Sequence, residues 1–480
     1  MKTPKDLAAA LAISALTEQA PITQSLAAGF KSAGYTLALV GGPVRDAVLG
    51  RLGNDLDFTT NARPDATKAI LKKWTDTVWE IGAEFGTIAA KHGDTSIEVT
   101  TYRSEKYDPE SRKPDVDFGD SIEGDLFRRD FTVNAMALEL TTDTPTFIDL
   151  FNGVNDLAQR ILRTPGKATD SFSDDPLRMM RAARFVSQLN FTVDDDIIAA
   201  ITAMADRISI ISAERVRDEL VKTLMSANPR LGLTLLVETG LAEKILPELP
   251  KLRLEIDEHH HHKDVYEHTL TVLEQAISME DRLGGPNLVI RLAALLHDIG
   301  KPRTRELIPG GGVSFHHHEV VGSRMAKERM RALRFDNHTI NDVSQLVFLH
   351  LRFHGYGSGE WTDSAVRRYI RDAEQLLDHL HVLTRADCTT RNQRKAEMLA
   401  RTYDSLEERI STLKEQEELD KIRPDLDGLA IMEILQIKPS PLVGKAYQHL
   451  LDLRMEEGPL GVERARQELI KWWEANGPKT

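Results

Sequence analysis

The chain has 480 residues, of which 41% are hydrophobic and 28% charged, and its formal charge is −13. That length exceeds one core and implies about three domains, while the composition excludes disordered and fibrous classes. The acidic balance excludes a protein that coats nucleic acid by bulk charge yet leaves room for a local basic groove, and the single Cys388 excludes an internal disulfide and suits a reducing cytoplasm.

In chain order, residues 7–16 (LAAALAISAL) match a signal-peptide core behind Lys2 and Lys5. Asp6 interrupts the basic flank and no clean cleavage site follows, so the expectation is a short amphipathic N-terminal helix. No run reaches transmembrane length, so a cytoplasmic protein with no membrane partner is expected. Residues 37–60 (LALVGGPVRDAVLGRLGNDLDFTT) predict a buried strand at Leu37–Val40, a turn at Gly41 and Gly42, a short helix, and a second strand carrying Asp55 and Asp57. Paired glycines let the backbone turn tightly and approach a ligand. The helix that follows offers N–H groups to an anion such as a triphosphate. Strand side chains alternate, so Asp55 and Asp57 leave one face, and hard oxygen ligands facing such a turn suit Mg²⁺ bridging protein and nucleotide.

Pro64–Trp74 predicts a helix, and Phe85–Arg103 predicts two strands around a turn at His92-Gly93-Asp94. On the second strand Glu98, Thr100 and Tyr102 share a face. Glu98 is either a third carboxylate beside Asp55 and Asp57 or an exposed strand glutamate, and spacing does not choose. Residues 104–121 are polar with two prolines and predict a mobile loop. Arg128, Arg129 and Asp130 precede an apolar run; arginines grip phosphate bidentately and a carboxylate accepts from a ribose hydroxyl, though this piece alone reads as solvated charge. A hairpin through Thr141–Pro145 returns along Phe147-Ile148-Asp149. From Ser171 a helix is predicted, with Asp174, Arg178 and Arg181 in one polar stripe and Asp175 three before Arg178. An acceptor beside a guanidinium can pair with the edge of cytosine or adenine, but spacing alone favours an intrahelical salt bridge.

Together LVGGPVRDAVLG, DLDFTT, IEVTTYR, RRDFTVNA, Asp149-x-x-x-Gly153 and DDPLRMMRAARF resemble, in the family's order from about residue 37 to 240, the class II tRNA nucleotidyltransferases. These are CCA-adding enzymes and bacterial poly(A) polymerase relatives of the polymerase-β-like superfamily. The resemblance implies metal on Asp55 and Asp57, Glu98 as third catalytic carboxylate, ribose recognition by Asp130, and base reading by Asp175 and Arg178. Its nucleotide-binding set is Gly41, Gly42, Arg45, Arg128, Arg129, Asp130, Asn134, Asp174, Asp175, Arg178 and Arg181. Asp174 stands where the family motif has Glu, one methylene longer, so its role carries over less directly.

Beyond about residue 246 the chemistry changes. EHHHHKDVYEHT holds His259–His262, an internal run and so no purification tag, and then His268; LLHDIGK, FHHHE, FLHLRFH and TRADCTTR follow. Most of the 16 histidines fall here, and a His-Asp pair with further His and Asp ligands can hold divalent metal. The pattern is similar to the HD phosphohydrolase superfamily, which implies core ligands His268, His297, Asp298 and Asp387, second-metal candidates His318 and His350, and a metal of unknown identity. From about 395 the chain is charged and helical. Lys438, Lys445, Arg464, Arg466 and Lys471 suit either tRNA phosphates or a solvated face.

The expected fold is multidomain: an N-terminal segment (1–20), a mixed α/β polymerase-β-like nucleotidyltransferase head (21–165), an all-α neck for base and RNA binding (166–245), an HD body (246–395) and a helical tail (396–480). The expected activity is Mg²⁺-dependent addition of C, C and A from CTP and ATP to tRNA, with a phosphohydrolase in the HD body. Rivals are a poly(A) or A-only polymerase, an HD hydrolase whose head merely binds RNA, and a noncatalytic RNA-binding module.

Overall fold

Short strands build one seven-stranded sheet near the start of the chain. A computed structural model describes residues 3–16, 20–81, 86–106, 115–119, 121–253, 264–307, 313–353, 361–389, 392–417 and 423–477. Two units result, Met1–Pro247 and Glu248–Thr480. No described helix is long and apolar enough to cross a membrane.

The first unit runs α1 (Pro4–Leu16), α2 (Ala20–Ser32), β1 (Leu37–Val40), α3 (Gly42–Val48), β2 (Asp55–Thr60), α4 (Pro64–Trp74), β3 (Thr77–Glu80), β4 (Thr87–His92) and β5 (Thr95–Thr101). Then come β6 (Arg103–Lys106), β7 (Asp115–Phe118), α5 (Ile122–Phe127), β8 (Met136–Glu139), β9 (Thr146–Asp149) and α6 (Gly153–Gln159). Six helices complete it: α7 (Ala168–Asp174), α8 (Leu177–Leu189), α9 (Asp195–Met204), α10 (Ala213–Leu224), α11 (Pro229–Glu238) and α12 (Ala242–Ile245). The sheet order is β3-β4-β5-β2-β1-β8-β9, with β2 and β5 parallel and the other neighbours antiparallel. Ala38, Val40 and Ala137 on one face pack against Leu126 of α5, which carries the Arg128–Asp130 segment to the edge of the face bearing Asp57. Asp149 accepts from the Gly153 and Val154 N–H groups at 2.8 and 3.0 Å, so this Asp/Gly pair caps α6.

Four expectations need correction here. The α1 helix forms but is not amphipathic: Ala8, Ala12 and Leu16 are buried, and small alanines allow a close approach to α3, while Leu7 and Leu11 stay exposed. The predicted loop at 104–121 instead has paired strands at its ends, Arg103↔Phe118 through Lys106↔Asp115; residues 107–114 and 120 lie outside the described set. Strand β3 was not foreseen. The helix predicted from Ser171 is two helices, because Pro176 disfavours helical geometry at the residue before it and Asp175 is extended (φ −139°, ψ 101°). The remainder is mostly helical rather than purely so: two-residue strands pair at Ile161–Leu162 with Thr192–Val193, and at Glu306–Leu307 with Val313–Ser314.

The second unit contains α13 (Val265–Ser278), α14 (Leu288–Leu296), α15 (His318–Ala332), α16 (Asn337–Leu349), α17 (Asp363–Ala373) and α18 (Leu377–Ala386). It continues with α19 (Gln393–Glu417), α20 (Gly428–Leu435), α21 (Pro441–Glu457) and α22 (Val462–Asn476). Helices α14 and α18 pack on each other and each against α13 and α16, with α15 against α16. The last three helices share a core of Leu426, Ile431, Ala446, Leu450, Ala465 and Leu469. Buried Arg367 of α17 joins this bundle by donating to the Met455 carbonyl at 3.1 Å, near the end of α21.

Candidate active sites

At the end of β1 the chain turns at Gly41 with φ 74°. That conformation favours glycine, and a Cβ there would lie 2.8 Å from Arg129 Nη1 and push that guanidinium aside. Helix α3 begins at once, with Pro43 in its first turn and no side-chain cap. On β2, Asp55 and Asp57 reach solvent on one face while Leu56 and Phe58 are buried. The parallel register sets Glu98 directly opposite Asp57, a juxtaposition that spacing alone could not choose. Although Asp57 reaches solvent, desolvation by the surrounding protein raises its pKa; Arg129 opposes the shift and Asp55 adds to it. Glu98 is raised by burial and then by Asp57 and Asp55. The three carboxylates thus repel one another, a strain that a hard divalent cation relieves.

Next to this face the arginines are braced from within. Fully buried Asp125, which the sequence reading passed over, accepts from Arg128 at 2.8 Å and Arg129 at 3.2 Å. Asp130 accepts at Oδ1 from the Phe131 N–H and Asn134 Nδ2, and at Oδ2 from Arg181 Nε at 2.7 Å. Burial opposes its charge, but Arg181 and Asn134 prevail and hold its pKa down to about 2. Asn134 Oδ1 in turn accepts from Arg45 Nη1 at 2.6 Å, so Arg45, Asn134, Asp130 and Arg181 form one chain of bonds. Arg45, Arg181 and Arg184 surround the Phe185 ring at 5.5, 5.6 and 4.4 Å. Arg184 is paired with buried Glu219 of α10. Neither Phe185 nor Glu219 carried a chemical signal in the sequence.

The predicted pair of Asp175 with Arg178 does not form. Arg178, nearly buried, donates to Ser171 Oγ at 2.9 Å and to the Arg128 carbonyl at 2.5 Å. Asp175 Oδ1 accepts from the Leu177 N–H, capping α8, and Oδ2 accepts from Arg215 of α10 at 3.3 Å. Asp174 closes α7. Breaking the helix at Pro176 therefore separates residues that a continuous helix would have paired.

Among the described residues, two sets of three ligand side chains bring their ligand atoms within 4.8 Å of one another, and both lie in the second unit. One set is His268, His297 and Asp387; the other is Asp298, His318 and His350. Asp55, Asp57 and Glu98 are not among these sets. His259–His262 and His354 fall outside the described residues. Local geometry explains the convergence. His297, His318 and His350 each direct Nδ1 to the carbonyl three residues earlier (Ala294 at 2.9 Å, Phe315 at 2.8 Å, Val347 at 2.6 Å). Such a bond makes Nδ1 the donor and leaves Nε2 a lone pair in the neutral ring. His318 and His350 Nε2 are 3.2 Å apart, and His297 and His268 Nε2 are 3.4 Å apart. Buried Asp298 Oδ1 has no hydrogen-bond partner although His318 Nε2 is 3.3 Å away, as expected of two acceptors. Lone pairs and carboxylate oxygens facing one another in a buried pocket fit divalent metal.

The charges agree. Burial opposes a proton on His297, yet Asp298 and Asp387 outweigh it and raise the pKa to about 10. His350 falls to about 3 through burial and the neighbouring His297 charge. Both aspartates are held well below the usual range, against burial: Asp298 chiefly by His297 and Lys301, Asp387 by His268 and His297. Lys301 Nζ lies 2.6 Å from Asp298 Oδ2. Sequence reasoning missed Lys301, although it sits in the same LLHDIGK run.

A family model described as the poly A polymerase head domain matches residues 37–163. The head is a poly A polymerase head domain. Behind this poly A polymerase head, residues 190–252 match a probable RNA and SrmB-binding site of polymerase A, and residues 265–392 are an HD domain. A CCA-adding enzyme of Levilactobacillus brevis is 43% identical over 222 residues, covering 46% of this chain and 53% of the relative. A CCA-adding enzyme of Enterococcus faecalis is 39% identical over 237 residues, covering 49% and 55%. The chain thus spans about half the length of the curated relatives it matches. The Bacillus stearothermophilus CCA-adding enzyme in complex with CTP shares the fold with a TM-score of 0.68, at 24% identity and 99% coverage of both chains. The Thermotoga maritima CCA-adding enzyme complexed with tRNA shares it with a TM-score of 0.60, at 17% identity and 95% coverage of both.

Proposed function

We propose that the head transfers C, C and A from CTP and ATP to the 3′ end of tRNA. The observation that carries this is the face on which Asp55, Asp57 and Glu98 meet beside the Gly41 turn and Arg129. Mg²⁺ is the cation that such hard oxygen ligands favour; bound there, it supplies Lewis-acid charge to a triphosphate and an attacking hydroxyl. Asp55 and Asp57 would hold it, with Glu98 adding charge from the next strand. Arg128 and Arg129, fixed by Asp125, stand ready for phosphate oxygens. Asp130 fixes Arg181 and Asn134 in the nucleotide pocket. Asp175 and Arg178 read the base once released from Arg215 and the Arg128 carbonyl. The relatives' CTP and tRNA complexes support this assignment, and action on tRNA implies a cytoplasmic protein. The test is incorporation of labelled CTP and ATP into tRNA lacking its 3′ end by the wild type and by Asp57→Ala. Absence of incorporation by the wild type would overturn the assignment.

A second activity rests on the converging Nε2 atoms and carboxylates of the HD domain. We read it as a phosphohydrolase for an ester such as a 2′,3′-cyclic phosphate on a damaged RNA end, since that group blocks the hydroxyl the head needs. His268, His297 and Asp387 would hold one divalent ion and Asp298, His318 and His350 a second. Such ions polarise phosphoryl oxygen and lower the pKa of water. Hydrolysis of a cyclic-phosphate substrate by metal-stripped protein on addition of Ni²⁺, Mn²⁺, Co²⁺ or Mg²⁺ tests this. Hydrolysis by none of them would refute it.

A further inference from the structure

We infer that Thr389 is a positioning residue for the HD domain, holding His268 in the tautomer and orientation that bind metal. The inference rests on the metal reading of His268, His297 and Asp387 given above.

The four converging histidines do not share one anchoring device. Three use the carbonyl three residues back in their own chain segment: Ala294 for His297, Phe315 for His318 and Val347 for His350. His268 sits in the first turns of α13, and the corresponding carbonyl, that of Val265, already accepts from the Thr269 hydroxyl at 2.9 Å. Its Nδ1 instead meets Thr389 Oγ1 at 3.0 Å, a partner 121 positions away. With Thr389 accepting from Nδ1–H, the Nε2 lone pair of His268 faces His297 Nε2 at 3.4 Å and Asp387 Oδ1 at 2.9 Å. With the hydroxyl removed, Asp387 Oδ1 at 2.9 Å draws the proton to Nε2, and no other bond to Nδ1 among the described residues opposes it.

Thr389 also lies two residues beyond Asp387. The turn is tied internally, because the Thr389 N–H donates to the Asp387 carbonyl at 2.9 Å and the Asp387 N–H donates to the Leu383 carbonyl at 2.9 Å. One short turn after α18 therefore supplies a ligand of the first set and also orients another. The second set, Asp298, His318 and His350, has no bond to this turn among its anchors. Removing the Thr389 hydroxyl is accordingly expected to weaken the first set and spare the second.

The test uses the full chain, stripped with chelator and titrated with Co²⁺, read by calorimetry and by visible absorption of the bound ion. Asp387→Ala identifies the binding step that belongs to the first set. Thr389→Val removes the hydroxyl at constant shape, Thr389→Ala removes it without a branched side chain, and Thr389→Ser restores it. Loss of an outer hydrogen-bond partner typically weakens metal binding by about 10–100-fold, so both Val and Ala variants are expected to bind that much more weakly at the step Asp387→Ala abolishes. The Ser variant is expected to bind as wild type, with the second step unchanged in all three. Thr389→Val and Thr389→Ala binding as tightly as wild type would overturn the role of Thr389 alone. A wild-type chain that shows no step sensitive to Asp387→Ala would overturn the metal reading beneath it. Weakening by Val but not Ala, or failure of Ser to restore binding, would reduce Thr389 to a packing residue and overturn the proposal.

Discussion

Gly300→Ala probes how the HD helices are brought close enough for their histidines to meet. Gly300 has helical backbone angles (φ −76°, ψ −23°), so alanine fits the conformation. On that ground alone the substitution should stabilise by about 0.4–1 kcal/mol through the unfolded chain. Space decides otherwise. A Cβ at Gly300 would lie 2.2 Å from the His318 carbonyl oxygen and 2.7 Å from the Gly322 nitrogen, both main-chain atoms that no rotamer change can move. Reaching ordinary contact near 3.4 Å requires the start of α15 to retreat by more than an ångström. Overpacking of this kind costs about 1–3 kcal/mol, so the net effect is a loss of up to about 2.6 kcal/mol, centred on about 1 kcal/mol. For a unit of this size that lowers the transition by about 2–4 °C per kcal/mol. The same retreat draws His318 away from His350, now 3.2 Å across, and from Asp298, now 3.3 Å. Calorimetry of the metal-free protein followed by Co²⁺ titration reads both effects. A Gly300→Ala variant at least as stable as wild type, with unchanged metal affinity, would refute the steric reasoning.

Asp55→Ala and Asp57→Ala are each expected to abolish nucleotide addition while leaving tRNA binding, since a metal clamp contributes several kcal/mol to the transition state; filter binding beside an incorporation assay checks this. Asp130, held down to about 2 from 3.8, contributes about 2 kcal/mol of stability that is fully present above about pH 4 and lost as the pH falls through about 2. Urea unfolding should therefore separate wild type from Asp130→Asn at pH 6, and the two should converge in strong acid; a gap independent of pH would contradict the assignment. Arg178→Ala should raise misincorporation of U and G relative to C, because a bidentate base contact carries about 1–3 kcal/mol of discrimination. Equal losses for all four nucleotides would mean that its bonds to Ser171 and the Arg128 carbonyl are its whole role.

Much of the head was legible because its signals are local. Two glycines after an apolar strand, and two aspartates at strand spacing, need no tertiary knowledge. Glu98 was harder, since only the parallel register of β2 with β5 sets it opposite Asp57. Pro176 was legible and under-weighted: the polar stripe of Asp174, Arg178 and Arg181 suggested one helix, yet the residue before a proline resists helical geometry. The strand at Arg103–Lys106 (RSEK) has no apolar residue to announce it, and its partner Asp115–Phe118 (DVDF) alternates for only four residues in a polar stretch. In the HD domain the histidines stood out by density and by the His-Asp pair. Their anchors did not, because three are main-chain carbonyls and the fourth, Thr389, is a common residue remote in sequence from His268. Asp125 was invisible for a similar reason, since an acid near two arginines reads as surface charge until its burial is known.

The central claim is tested most directly by the end sequence of a tRNA lacking its last three nucleotides, after incubation with the protein, Mg²⁺ and all four nucleoside triphosphates. Ends that read CCA and stop there, absent with Asp57→Ala and unchanged with Asp298→Ala, are the predicted result. Long A tails, a single A added only to ends already bearing CC, or addition that survives Asp57→Ala would contradict it.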